Sequence, residues 1–198
     1  MTRAMQVIAP GRARLEEVPL PEPGPGEVRV RLEGCGVCGS NGPVWEGRSW
    51  FQYPFAPGAP GHEGWGRVDA LGPGANGVAV GDRVTLLSYR AFAEHDVAPA
   101  DAVVALPAAL DGLPLPGEAV GCAMNVIRRS DIRPDQDVAV IGVGFLGALL
   151  VQLASRAGAR VVALSRRPFA LEIARSGGAE TALAIEPGVD AAARDRTG

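Results

Sequence analysis

The chain has 198 residues, of which 47% are apolar and 21% charged, with a formal net charge of −3. That balance belongs to a globular chain long enough for one large domain or two modest ones, and it excludes a disordered or fibrous protein. No Lys/Arg run forms a basic stripe, which argues against nucleic acid as a partner, and no apolar run reaches the ~18 residues that span a bilayer.

The first residues, Met1 to Ile8, lack the long apolar core of a secretion signal. Three cysteines do not make a disulfide framework, and free thiols or metal ligation in a reducing cytoplasm fit better. A cytoplasmic location is the expectation.

In chain order, the first half reads as short strands between Gly/Pro turns. Glu27–Leu32 alternates apolar and polar residues, as a half-buried strand does, and Gly66–Leu71, Asp82–Leu87, Ala91–His95 and Ala102–Leu106 follow. Strands at such spacing predict a small β-barrel or sandwich. Beyond Pro116 the texture changes. Asp137–Ile141 reads as a buried strand and Phe145–Arg156 as a helix, with Leu146, Leu149, Leu150 and Leu153 at helical spacing and Gly158 as its stop. Arg160–Leu164, Pro168–Ser176 and Thr181–Ile185 continue as strand, helix and strand, so a parallel sheet is expected. The predicted architecture is mixed α/β, with a β domain over residues 1–120 and a partial nucleotide-binding domain over residues 121–198.

Gly142-Val143-Gly144-Phe145-Leu146-Gly147 matches G-x-G-x-x-G and sits between a predicted strand and helix, the context a dinucleotide fingerprint requires. The first glycine permits the turn, the second lets a pyrophosphate reach the backbone, and the third allows close packing of helix on strand. An acidic residue about 20 positions further on would favour NAD(H). Ser165-Arg166-Arg167 stands there instead, offering a hydroxyl and two guanidiniums to a 2′-phosphate, so NADP(H) is expected over NAD(H).

Cys35-Gly36-Val37-Cys38 is a C-x-x-C with no second copy, which excludes a four-cysteine structural zinc site. A redox pair is an open alternative, although the pair is not set in a thioredoxin-like βαβ unit. Gly61-His62-Glu63-Gly64 places a His-Glu pair among glycines further along.

Cys-Gly-x-Cys-Gly-Ser at 35–40, Gly-His-Glu at 61–63, Gly81-Asp82-Arg83-Val84, the segment Glu118 to Cys122 and the glycine fingerprint follow one another in the order found in zinc-dependent medium-chain alcohol dehydrogenases, which the whole chain resembles. The resemblance implies a GroES-like β domain followed by a Rossmann domain, one catalytic zinc and no structural zinc. It further implies hydride transfer between NADP(H) and a small alcohol or carbonyl substrate. On matching positions Cys38 is the thiolate ligand, His62 the imidazole ligand and Glu63 a carboxylate able to support or enter the metal sphere. Glu118 or Cys122 supplies the remaining ligand, and Ser40 the hydroxyl of a proton relay. Full-length members are expected to be homo-oligomers.

Departures from the family pattern also carry expectations. Asn41 replaces an acidic residue that supports the metal's histidine, so weaker support is expected, and Pro43 stands where some members place a relay histidine. Trp45, Trp50, Phe51, Tyr53 and Phe55 fit equally a pocket for a bulky apolar substrate and the packing of a Pro-rich loop. His95 is expected to have no chemical role.

A complete dinucleotide fold needs about six strands, whereas the given sequence ends soon after Val189-Asp190-Ala191-Ala192-Ala193. A C-terminally truncated chain that holds the adenosine half of the cofactor, exposes the edge of its third strand and turns over poorly is therefore expected. A zinc-free quinone or enone reductase and a non-catalytic nucleotide- or partner-binding fragment are the alternatives.

Overall fold

The computed structural model describes residues 1–185. The stretch Val189 to Ala193 lies outside the described residues. The chain divides into two compact units, Met1–Ala119 and one beginning at Val120.

The first unit opens with an antiparallel hairpin, β1 (Thr2–Ala9) and β2 (Arg12–Val18). A five-stranded antiparallel sheet follows, built from β3 (Glu27–Gly36), β4 (Glu63–Leu71), β5 (Arg83–Leu86), β6 (His95–Pro99) and β7 (Val103–Ala105) in the order β6-β3-β4-β5-β7. Alternation along β3 sends Val28 and Val30 inward, where they meet Val68, Val84, Leu86, Ala98 and Val103. Arg29, on the opposite face, pairs with Asp69 of β4 at 2.9 Å. Register shifts between Arg29 and Val30 and between Leu32 and Gly34 interrupt the β3–β4 ladder, and irregularities of this kind bend a strand. The sheet is thereby curled rather than flat. A short helix, α1 (Asn41–Glu46), leaves the end of β3 and stops at Gly47, whose φ of 77° is a left-handed conformation that costs glycine little.

α2 (Gly117–Arg129) begins at the end of the first unit. The second unit continues with β8 (Asp137–Ile141), α3 (Phe145–Arg156), β9 (Arg160–Ser165), α4 (Pro168–Ser176) and β10 (Thr181–Ala184). Its strands form a parallel sheet in the order β10-β9-β8. Val140, Val161 and Ala163 from the sheet pack with Val151 and Ala154 of α3 and Ala170 and Ala174 of α4. Small residues on both helices let them lie close to the strands. The molecule is thus mixed α/β, a curled antiparallel sheet followed by a parallel nucleotide-fold sheet, as the sequence predicts.

One predicted strand is displaced. Ala91–His95 is not a strand, and β6 starts only at His95. The N–H groups of Ala91 and Phe92 go to the carbonyls of Gly61 and Gly58, at 3.0 Å each, and Ala93 meets Ala4 of β1 in an isolated bridge, so the stretch clamps a loop and touches the hairpin without forming a continuous strand. Among the described residues no helix is long and apolar enough to cross a membrane.

Candidate functional site

The β3–β4 register assembles the candidate site. Gly36 pairs with Glu63 and Cys35 with Gly64, so the residues leaving β3 lie beside those entering β4. Cys38 follows the first strand and His62 precedes the second. Cys38, His62 and Glu63 thereby come together, with one donor atom from each within 4.8 Å of the others. Among the described residues these three form the group. Glu118 and Cys122 stand on α2, Glu118 in its first turn and Cys122 one turn further along, a spacing that puts both on one side of a helix.

Each member is oriented by a named contact. His62 Nδ1 lies 2.9 Å from the Pro60 carbonyl. A carbonyl can only accept, so Nδ1 carries the proton and Nε2 is left as the basic atom. The loop that presents the imidazole is held to residues 91 and 92, and a Cβ on Gly61 would stand 2.3 Å from the Phe92 nitrogen, so only glycine fits there. Cys38 Sγ accepts the Ser40 N–H at 3.5 Å, and the Cys38 N–H donates to Asn41 Oδ1 at 3.0 Å. Glu63 is 7% exposed, and its carboxylate lies over Gly36, where an added Cβ would come within 2.0 Å of Oε2. Among the described residues no Lys or Arg pairs with Glu63.

This donor set fits a divalent metal. Thiolate sulfur, imidazole nitrogen and carboxylate oxygen are the ligand types of zinc, and three protein ligands leave a position for substrate in a tetrahedral sphere. A buried carboxylate is costly unless a cation compensates it, and a metal held by Cys38 and His62 is such a cation.

Cys35 has a different character. Burial, with the charges of Glu63 and Asp96 adding to it, pushes its thiol up to about 11, against N–H groups of Glu63 and His62 that act in the opposite sense. It is a protonated thiol at neutral pH, and all three cysteines are free of disulfides. Ser40 sits at the start of α1 without using its hydroxyl as a cap, exposed and next but one to Cys38. Phe51, Tyr53 and Phe55 pack on one another, and the Tyr53 hydroxyl donates to the Val44 carbonyl, so these three hold the loop together. Trp45 and Trp50 are exposed.

Sequence reasoning missed Tyr89. Its ring centroid is 6.3 Å from that of His62 and its side chain is largely exposed, so it borders the imidazole. The residue lies in a loop with no motif, two residues before the Ala91 N–H that bonds the Gly61 carbonyl.

In the second unit Gly142 has φ 92°, a left-handed conformation, and an added Cβ on Gly147 would stand 2.2 Å from the Gly142 carbonyl oxygen. Turn and close packing are therefore both needed, as the fingerprint predicts. Gly144 precedes α3 and supplies no side-chain cap, leaving the N–H groups of Phe145, Leu146 and Gly147 at a helix start suited to an anion. Ser165 ends β9 buried and accepts the Arg167 N–H at 3.3 Å. The Arg167 guanidinium reaches back to the Val143 carbonyl at 3.4 Å, which lays a positive charge against the glycine turn. Arg166 is exposed beside it.

A curled antiparallel domain followed by a strand–helix–strand unit with a glycine fingerprint defines a two-domain dehydrogenase architecture. Residues 24–108 match the family model of the alcohol dehydrogenase GroES-like domain. An alcohol dehydrogenase of Rhizobium meliloti is 32% identical over 84% of this chain and 58% of its own length, and one of Geobacillus stearothermophilus is 32% identical over 91% of this chain and 62% of its own. A solved structure from Sinorhizobium meliloti, described as a zinc-binding dehydrogenase bound to NADP, superposes with a TM-score of 0.81 at 26% identity, covering 96% of this chain and 63% of that one. The chain belongs to the medium-chain alcohol dehydrogenase family. It spans 58% and 62% of the lengths of these two curated relatives.

Proposed function

We propose that this chain carries the zinc centre and the adenosine side of the NADP(H) site of an oxidoreductase acting on a small alcohol or carbonyl compound. The observation that carries the reading is the convergence of Cys38, His62 and Glu63 with the His62 proton parked on Nδ1.

Cys38 and His62 would hold the metal, Glu63 would support or enter its sphere, and Glu118 or Cys122 would supply the remaining ligand. When bound, the metal and the nicotinamide supply Lewis-acid polarisation of the substrate oxygen and hydride exchange with its carbon. The protein's own part is orientation and proton handling. Ser40 Oγ, two residues from Cys38, would pass a proton between the substrate hydroxyl and water. Tyr89 forms a wall beside His62. The turn 142–147 takes the pyrophosphate, while Ser165, Arg166 and Arg167 take the 2′-phosphate that an acidic residue would repel.

The test is metal analysis of chain purified without chelators, together with NADPH and NADH titrations of the same sample and of Cys38→Ala and Arg167→Ala. The expected result is about one zinc per chain, lost in Cys38→Ala, with NADPH bound more tightly than NADH. Arg167→Ala is expected to weaken NADPH about tenfold, the loss of ~1.4 kcal/mol, and to leave NADH nearly unchanged. Zinc-free protein that still binds NADPH would replace this reading with a zinc-free quinone or enone reductase, or with a nucleotide-binding fragment. Turnover of alcohols or aldehydes separates an active chain from a binding one.

A further inference from the structure

Asn41 makes contacts to the backbones of both ligand-bearing loops. Its Oδ1 accepts the Cys38 N–H at 3.0 Å, and its Nδ2 donates to the Pro60 carbonyl at 3.3 Å. The Pro60 carbonyl is the same oxygen that receives the His62 Nδ1 proton at 2.9 Å. An N–H can only donate and a carbonyl only accept, so the orientation of the amide follows from its partners. One side chain therefore ties the turn that presents the thiolate to the turn that presents the imidazole. These turns belong to different strands, β3 and β4, and are 19 residues apart where Asn41 bridges them.

We infer that Asn41 is a positioning residue for the metal centre and that its neutral amide, rather than a carboxylate, is what this chain requires. The inference rests on the proposed metal site. Here the imidazole proton goes to a backbone carbonyl, so an acidic residue at 41 is not needed to hold the histidine. A carboxylate could still accept from Cys38, but it would lose the donor to Pro60 and set a negative oxygen against that carbonyl. The Cys38 and His62 donors would then be less firmly held at a common distance, which lowers affinity without touching a ligand.

The experiment uses the 198-residue chain with Co2+ as probe. Absorption is followed during titration, with thiolate charge transfer reporting Cys38 and visible bands reporting coordination geometry. Asn41→Ala and Asn41→Asp are compared with the unsubstituted chain, each first tested for cooperative thermal unfolding without metal. Asn41→Asp is nearly isosteric and guards against a simple failure to fold. The expected result is about 10- to 100-fold weaker Co2+ binding in both variants, with altered visible bands and the charge-transfer band retained. Binding by Asn41→Asp equal to that of the unsubstituted chain would overturn the need for the amide donor, and equal binding by Asn41→Ala would overturn the positioning role altogether. If the unsubstituted chain binds no Co2+, the metal-site reading itself falls, and this inference with it.

Discussion

The two histidines show how neighbouring atoms assign a residue's role. His62 gives its Nδ1 proton to a carbonyl and leaves Nε2 as a basic atom beside Cys38 and Glu63. His95 has Nδ1 at 2.9 Å from Thr2 Oγ1 and Nε2 at 3.5 Å from Asp69, so both nitrogens are occupied in joining β6 to β1 and β4. Burial holds the His95 imidazole below the usual 6.5, with Arg29 and Arg31 acting in the same direction and Asp69 and Glu94 against them. The unfolded chain therefore takes the proton first as pH falls. The His95 contribution to stability is complete above about 6.5 and is lost as pH falls from there through the lower folded-state value. His95→Gln is expected to flatten this part of the pH dependence. Urea unfolding of both proteins at pH 7.5 and 5.5 measures it, and an unchanged difference between the two pH values would place the dependence elsewhere.

Among elements, β5 shows what a motif can conceal. Gly81-Asp82-Arg83-Val84 is legible in sequence as a family signature, but its physical purpose is not. Asp82 Oδ2 accepts the Ala79 N–H at 2.8 Å and closes the turn. Arg83, 5% exposed, donates to Glu33 of β3 at 2.7 Å and to the carbonyls of Leu110 and Leu113 at 2.5 and 2.7 Å. It thereby fixes the segment that leads into α2 against the sheet. Arg83→Met is expected to destabilise the first unit by about 2 kcal/mol, since it strips two carbonyls of their donor and leaves Glu33 with Arg67, at 3.3 Å, as its cation. Chemical denaturation measures the change, and a loss below about 1 kcal/mol would mean that water replaces these contacts. From β8 to β10 the strands and helices are legible in the sequence because each is a short apolar run bounded by glycine or proline, whereas α2 is not marked in this way. The β1–β2 hairpin is not, because β2, Arg-Ala-Arg-Leu-Glu-Glu-Val, is mostly exposed and lacks apolar alternation. Ala91–His95 misleads for a related reason: its composition suits a strand, but the N–H groups of Ala91 and Phe92 are taken by a loop distant in sequence, and Ala93 meets β1 in an isolated bridge. At the site, Cys38, His62 and Glu63 are legible as motif residues. The sharing of the Pro60 carbonyl by Asn41 and His62 depends on the β3–β4 register and is not.

At the scale of the whole molecule, the edges of the parallel sheet bear on association between chains. In the order β10-β9-β8, both β10 and β8 are edges among the described residues. The sequence directs attention to the third strand, yet β8 is the more exposed of the two edges. Asp137, Ala139 and Ile141 of β8 are exposed, Ile141 at 75%, whereas Thr181, Ala182 and Leu183 of β10 are half-buried. In a doubly wound sheet the strand after the crossover pairs beside the first strand, which here is β8. An exposed edge with an apolar residue is a template for pairing with another chain. The 198-residue chain is therefore expected to associate as its concentration rises through the micromolar range, and Ile141→Lys to shift that association to higher concentration. Sedimentation velocity over a concentration series reads both. A substituted chain that associates like the unsubstituted one would place the contact away from β8, and a chain monomeric throughout would mean that the β8 edge is covered.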